Sequence, residues 1–156
     1  MKFYSLFKKA INLTTINWLN KHNFIAPSLC LFNLNVADLK NVKNVLFYFN
    51  SNEYMHLGDH LFFLPLIQSF ILSGYQVQVI PTKVMQPLFE KLNIPLAPID
   101  INLSTYDLII SRIEIFRGLS KYKALLVNVS KNLTIPICDQ LIADFSVFFN
   151  LSYPPR

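Results

Sequence analysis

Short runs of β-branched and aromatic residues alternate with helical segments after residue 44, and this alternation limits the possible folds of the chain. The first run, Val-Leu-Phe-Tyr-Phe at residues 45–49, ends at a polar Asn-Ser-Asn sequence. A continuous apolar run of this length is typical of a strand that is buried on both faces of a parallel sheet. Strands that alternate with helices indicate β-α-β units, so the sequence predicts an α/β fold.

The other elements of this fold are predicted from the same patterns. Further strands are expected at 75–80, 106–110 and 124–129, and helices at about 60–73, 83–92 and 137–150. Asp59 is a favourable N-cap for the first of these helices, and Gly74 suits the residue that follows a helix end. We therefore predict a Rossmann-like parallel sheet, formed by residues 44–156, with helices on both faces.

Residues 1–43 are predicted to be a basic N-terminal helix and a connection that precede this domain. The helix is expected over residues 1–22, where one apolar stripe at helical spacing contains Tyr4, Phe7, Ile11 and Trp18. Residues 23–43 are expected to form an irregular connection around Pro27. Two interpretations of the helix stay open: it packs on the domain, or it lies on an anionic membrane surface.

The charge of the chain is distributed unevenly, which bears on its partners. The six lysines and the single acidic residue of residues 1–44 account for the whole net charge of +5. This asymmetry favours an anionic surface such as a membrane or lipid phosphate. Nucleic acid is not expected as a partner, because no basic stripe with interleaved aromatic residues continues into the rest of the chain.

The composition also excludes several kinds of site. The only glycines are Gly58, Gly74 and Gly118, so the sequence has neither a GxGxxG dinucleotide loop nor a Walker A loop. Cys30 and Cys138 are far apart and predict neither a disulfide framework nor a zinc site. No stretch is long and apolar enough to span a bilayer. We expect a cytoplasmic protein, either free or peripheral on the inner face of the cytoplasmic membrane.

The segment Leu-Gly-Asp-His-Leu-Phe-Phe-Leu-Pro-Leu-Ile at residues 57–67 carries the main functional signal. It follows the first buried strand and opens the first helix. Ligands of open α/β sheets bind at the carboxyl ends of the strands, so Asp59 is expected at the site. A carboxylate at this position is favoured in its ionised form by the amides of the helix N-terminus.

These residues resemble family 9 glycosyltransferases, the heptosyltransferase group. The matching features are Gly58-Asp59, Pro65 six positions after the aspartate, and the apolar helix that contains this proline. The strand at 106–110 and the helix and proline-rich link near the end of the chain continue the resemblance, which covers about residues 43–156.

The resemblance implies an architecture and a chemical role. The family has two Rossmann-like domains in the GT-B arrangement: the first holds the acceptor, typically the inner core of lipopolysaccharide, and the second holds the nucleotide-sugar. It implies that Asp59 is the general base that deprotonates the acceptor hydroxyl in an inverting transfer, without a metal or other cofactor. The chain ends at the interdomain link, so we expect no donor-binding domain, no nucleotide-sugar binding without one, and little activity from this chain alone.

Five further residues are candidates for binding a lipid-linked or lipopolysaccharide-type acceptor. Gly58 precedes the base, and His56 and His60 flank it. Arg112 and Arg117 follow the third predicted strand of this domain, and arginine suits phosphate or carboxylate groups on an acidic acceptor. The alternative for both arginines is an ordinary place on the surface.

Two function classes follow from these observations. The first is a glycosyltransferase of the heptosyltransferase type, in lipopolysaccharide core or related surface-glycan biosynthesis, present as its acceptor-binding half. The second is a non-catalytic acceptor-binding module, or a truncated remnant, that acts with a partner chain.

Overall fold

A computed structural model describes residues 23–50, 57–129 and 135–155, with the backbone alone described for Leu57, Asp59 and Phe116. The predicted N-terminal helix over residues 1–22 lies outside the described residues. The described chain is an α/β fold with a six-stranded sheet. Its strands are β1 (Phe24–Ala26), β2 (Leu29–Phe32), β3 (Asn44–Tyr48), β4 (Gln76–Ile80), β5 (Leu108–Arg112) and β6 (Ala124–Val127). Its helices are α1 (Leu57–Leu72), α2 (Gln86–Lys91), α3 (Phe116–Leu119) and α4 (Ile137–Ser146), with 3-10 turns at Val36–Asn41, Leu103–Thr105 and Ile113–Ile115.

The strand order is β1-β2-β6-β5-β3-β4, and β3, β4, β5 and β6 are parallel. The four strands predicted from residue 44 onward are therefore confirmed, in an order consistent with a Rossmann-like sheet. The sheet is nevertheless mixed, because β1 and β2 form an antiparallel hairpin that pairs with β6. The predicted irregular connection over residues 23–43 is wrong at this point. Pro27 lies in the hairpin turn, and β2 is an apolar run buried along its whole length.

Helices cover both faces of the sheet, but unequally. On one face, α1, α2 and α4 pack over strand residues in a core that contains Val45, Phe47, Val79, Leu108, Ile110, Phe63, Phe70, Phe89 and Phe145. On the other face, α3 and the 3-10 turns at Leu103–Thr105 and Ile113–Ile115 cover a smaller core that contains Leu46, Tyr106, Ile109, Ile113, Leu119 and Leu126. Strand residues alternate between these two cores, as the pleat of a sheet requires.

The helix boundaries differ from the predicted ones for local reasons. Helix α1 begins at Leu57, so Asp59 is its third residue and the N-cap prediction is wrong. Helix α2 is shorter than predicted because Pro87, which lacks an N–H, is tolerated only in a first turn. Helix α4 ends at Ser146. The predicted role of Gly74 is confirmed, since it follows α1 with φ at +87°.

Candidate functional site

The carboxyl ends of the four parallel strands lie level with one another and form one edge of the sheet. Tyr48 at the end of β3 is in register with Ile80 at the end of β4, and Arg112 at the end of β5 is in register with Val127. The chain leaves β3 toward β4 on one side and returns to β5 on the other side. This reversal makes the edge between β3 and β5 the expected ligand position of an open α/β sheet.

The first turn of α1 supplies Gly58 and Asp59 to this edge. Residues 49–56 separate this turn from β3 in the chain, and Asp59 is the third residue of a 16-residue helix. The positive end of the helix dipole stabilises a carboxylate in the first turn. A Cβ on Gly58 would meet only the Phe62 ring, at 3.8 Å, so packing does not require glycine here.

His60 follows Asp59 in the chain but is only 1% exposed. Its ring lies edge-on to Phe49, with centroids 5.2 Å apart, and to Phe89, with centroids 6.1 Å apart. The backbone N–H of Thr82 donates to its Nε2 at 3.3 Å. The predicted direct contact of His60 with an acceptor is therefore not supported by this position, and His56 lies outside the described residues.

Arg112 lies at the carboxyl end of β5 and forms a two-pronged ion pair with Glu114. Its Nε donates to Oε2 at 3.1 Å and its Nη2 donates to Oε1 at 2.5 Å. The two side chains are 18% and 32% exposed, so the pair is accessible from the edge. Next to it, the hydroxyl of Ser111 donates to the carbonyl of Tyr48 and ties β5 to β3. Arg117 is exposed on α3.

A groove of about 370 Å³ opens beside the carboxyl end of β4. Its polar lining comes from Asn50, Lys83 and Gln86, and its apolar lining includes Ile80, Pro81, Leu96, Ala97, Pro98 and Ile99. The segment at 95–97 pairs with the outer side of β4, where the Val79 N–H donates to the Pro95 carbonyl at 2.9 Å. This additional pairing positions the apolar wall of the groove beside β4.

The topology places two predicted features at one edge of the sheet: the turn with Gly58 and Asp59, and the end of β5 with Arg112. The segment after β4, with Lys83, lies at the same edge. Sequence reasoning missed the groove wall at 96–99 and the contact between His60 and Thr82. The only available signals were the two prolines that bracket Leu96 and the histidine beside Asp59.

Two properties of the described residues bear on the kind of site. Within 23–50, 57–129 and 135–155, no group of three or more His, Cys, Asp or Glu residues is arranged to hold a metal ion. No helix in the described part of the chain has the length and apolar character needed to cross a membrane.

Comparison with known proteins adds no family to this description. The chain matches no protein-family model, no curated protein and no solved structure.

Proposed function

We propose that this chain is the acceptor-binding half of an inverting glycosyltransferase of the heptosyltransferase type, acting in lipopolysaccharide core or related surface-glycan biosynthesis. The observation that carries the proposal is the position of Asp59 in the first turn of α1, the helix that follows the inner strand β3 in the chain. The Gly-Asp sequence and Pro65, which lies inside the same helix, are the residues on which the resemblance to family 9 glycosyltransferases depends.

In the proposed reaction, the Asp59 carboxylate accepts the proton of an acceptor hydroxyl. The hydroxyl oxygen attacks the anomeric carbon of the donor sugar and forms the new C–O bond. The bond from that carbon to the nucleoside diphosphate breaks, and the electron pair leaves with the phosphate oxygen. A positioned base is needed because a neutral sugar hydroxyl is a weak nucleophile. The nucleotide-sugar would be held by a second domain of the GT-B arrangement.

Two cationic side chains at the same edge of the sheet favour an acceptor that carries negative charge. The Arg112 guanidinium presents a planar fork that matches carboxylate or phosphate oxygens, and Glu114 occupies that fork in this structure. An acceptor anion would replace Glu114 as the partner of Arg112. The exposed Lys83 ammonium and the amides of Asn50 and Gln86 line the neighbouring groove and can bind sugar hydroxyls or a second anionic group.

A binding experiment on the full chain tests the acceptor half of the proposal. A lipopolysaccharide inner-core oligosaccharide, freed of its fatty acids, is titrated into ¹⁵N-labelled protein. We expect saturable binding with shifts of the amide signals of Gly58, Lys83 and Arg112. A neutral oligosaccharide of similar length serves as the control ligand. Equal affinity for both sugars, or no binding at millimolar concentration, contradicts the proposal.

A sugar-transfer assay distinguishes an enzyme from a non-catalytic binding module. The chain is mixed with a separately produced donor-binding domain of a heptosyltransferase and with ADP-heptose. Sugar transfer to the bound oligosaccharide supports the catalytic proposal. Acceptor binding without transfer favours the non-catalytic module instead.

A further inference from the structure

His60 is a buried titratable side chain that the proposed reaction does not use. It belongs to the same helical turn as Asp59, yet its ring lies inside the core between Phe49 and Phe89. These two rings come from the residue that follows β3 and from α2. The imidazole is therefore held by packing from two elements and has little freedom to swing toward the surface.

The contact with Thr82 defines the chemical state of the ring. The Thr82 N–H donates to Nε2, so this nitrogen carries a lone pair and the neutral ring has its proton on Nδ1. The Thr82 hydroxyl lies 3.3 Å from the same nitrogen. On its other side, the Thr82 carbonyl accepts the N–H of Met85 at 2.9 Å. Thr82 is thus fixed through both its amide and its carbonyl.

Thr82 lies between Pro81 and Lys83, which both line the groove beside β4. The His60 contact joins residues 22 positions apart and connects the turn that contains Asp59 to the segment that forms the groove. An aliphatic residue at position 60 would fill the space between the two phenylalanine rings. It would also leave the Thr82 N–H without the lone pair of Nε2, because an aliphatic side chain cannot accept a hydrogen bond.

We infer that His60 is a positioning residue that fixes the groove-lining segment 81–83 relative to the turn bearing Asp59, by accepting a hydrogen bond from the Thr82 N–H. The inference rests on the proposed function in one respect: if that function holds, the geometry that His60 fixes is the separation between the base Asp59 and the groove that binds the acceptor. The hydrogen bond and its effect on the two segments are measured independently of any activity.

Two variants separate the hydrogen bond to Nε2 from the packing of the His60 ring. His60→Phe keeps an aromatic ring between Phe49 and Phe89 but has no lone pair. His60→Gln provides a carbonyl oxygen near the position of Nε2. We expect His60→Phe to speed amide hydrogen exchange at Thr82 by about tenfold or more and to shift the amide signals of Asp59 and Lys83. His60→Gln is expected to restore both measurements toward wild type.

A spectroscopic measurement on the wild-type chain needs no variant and so does not depend on folding of the mutants. The ¹⁵N and ¹H signals of the imidazole report which nitrogen carries the proton. We expect an unprotonated Nε2 and a protonated Nδ1 near neutral pH. A proton on Nε2 overturns the inference, as does unchanged exchange at Thr82 in a folded His60→Phe protein.

Binding of the inner-core oligosaccharide then distinguishes this inference from the proposed function. Weaker binding by His60→Phe with recovery in His60→Gln supports the positioning role. Unchanged binding despite faster exchange at Thr82 overturns that role and leaves the proposed function intact. If the wild-type chain does not bind the oligosaccharide, the proposed function fails, and the exchange and tautomer measurements still decide whether His60 fixes the two segments.

Discussion

The carboxylate of Asp107 connects two neighbouring strands at the amino ends of the parallel strands, which is the edge of the sheet opposite the candidate site. Its Oδ2 accepts the backbone N–H groups of Asn44 at 2.9 Å and Lys43 at 3.0 Å, and so joins the segment before β5 to the start of β3. The hydrogen bond from Asn44, followed by that from Lys43, lowers the pKa of Asp107 below its ordinary 3.8, and the charges of Lys123 and Lys43 act in the same direction. The ionised form is therefore favoured by folding.

This lowered pKa predicts a pH-dependent contribution to the free energy of unfolding. The contribution is complete above the ordinary value and is lost as the pH falls through the lower pKa of the folded state. Asp107→Asn keeps an acceptor oxygen without the charge, so we expect the stability difference between wild type and this variant to shrink on acidification. Asp107→Ala loses both hydrogen bonds and should cost about 1–2 kcal/mol near neutral pH.

Urea unfolding of the three proteins, from neutral pH to about pH 3, measures these differences. The Asp107→Asn variant is the control, because every other acidic group titrates in it as in the wild type. A stability difference that does not change with pH would show that the charge of Asp107 makes no contribution.

Asp59 is tested as a base by removing its charge while keeping its shape. Asp59→Asn should fold normally and still bind the acceptor, because binding does not require a proton acceptor. Transfer in the presence of a donor-binding domain should fall by about 10²–10⁴-fold. The measurements are the transfer rate and, as a control for folding, the melting temperature. A folded Asp59→Asn protein with near-normal transfer removes Asp59 from the reaction.

At the scale of elements, helix α1 has a well-defined C-terminal end. The Tyr75 N–H donates to the Phe70 carbonyl and the Gly74 N–H donates to the Ile71 carbonyl, both at 3.1 Å. The rings of Phe70 and Tyr75 contact each other with centroids 4.9 Å apart. These bonds and the apolar contact form a Schellman motif, which requires a left-handed residue at Gly74.

Gly74→Ala is predicted to destabilise the protein by about 1–2 kcal/mol, the cost of a left-handed conformation for a residue with a Cβ. Space is not the cause, since a Cβ at Gly74 would meet nothing within 4 Å. Gly118→Ala is the matched control: it also adds a Cβ in open space, but within helix α3 and without a positive φ. This control should be neutral or stabilising by up to about 1 kcal/mol.

Thermal and urea unfolding of both alanine variants measure the difference. Equal effects at the two glycines would show that the backbone conformation of Gly74 is not the source of its contribution.

Elements with a strong local pattern were predictable from the sequence, and elements defined by their partners were not. The apolar run of β3 and the alternation of β4 were enough to place these strands within one residue. The hairpin of β1 and β2 was missed because its strands are short and are stabilised by pairing with β6, far along the chain. The start of α1 was misplaced because aspartate is favourable both at an N-cap and in a first turn.

The candidate site was predictable to a similar extent. The position of Asp59 after β3 and of Arg112 near the end of β5 follows from the succession of strands and helices along the chain, which the sequence indicates. The pairing of Arg112 with Glu114 and the contact of His60 with Thr82 depend on side-chain orientations that periodicity does not define. The groove depends on the additional pairing of residues 95–97 with β4, for which the sequence offers only prolines.

At the scale of the whole molecule, the basic segment at residues 1–22 predicts attachment to anionic membranes. We expect the full chain to be retained by vesicles that contain phosphatidylglycerol at low salt and released as the salt concentration rises. A variant with Lys8→Gln and Lys9→Gln should be retained less. The control is Lys40→Gln with Lys91→Gln, which removes the same charge elsewhere.

Co-sedimentation with vesicles measures retention of each protein. Equal retention by neutral vesicles, or equal losses in the two double variants, would favour the alternative in which residues 1–22 pack on the domain.

The pairing of β2 with β6 can be monitored through the reactivity of the Cys30 thiol. Cys30 is fully buried in β2 opposite Leu126 of β6, and burial raises its pKa to about 11. Cys138 is only partly buried at the start of α4. An alkylating reagent at about pH 8 should therefore label Cys138 in the folded protein and Cys30 only after β2 separates from β6. Mass spectrometry of labelled peptides measures both rates, and similar rates in the folded protein would contradict the prediction.

The pairing of β2 with β6 also has a consequence for synthesis of the chain. On the ribosome, β2 leaves the exit tunnel early, but its partner strand is made roughly a hundred residues later. In the interval, β3, α1 and β4 are already complete and can associate through nearby contacts, whereas the apolar β2 has no strand to join except β1. Of the described strands, β1 and β2 are thus translated first and enclosed late, and the unpaired edge of β2 is open to aggregation until β6 is made.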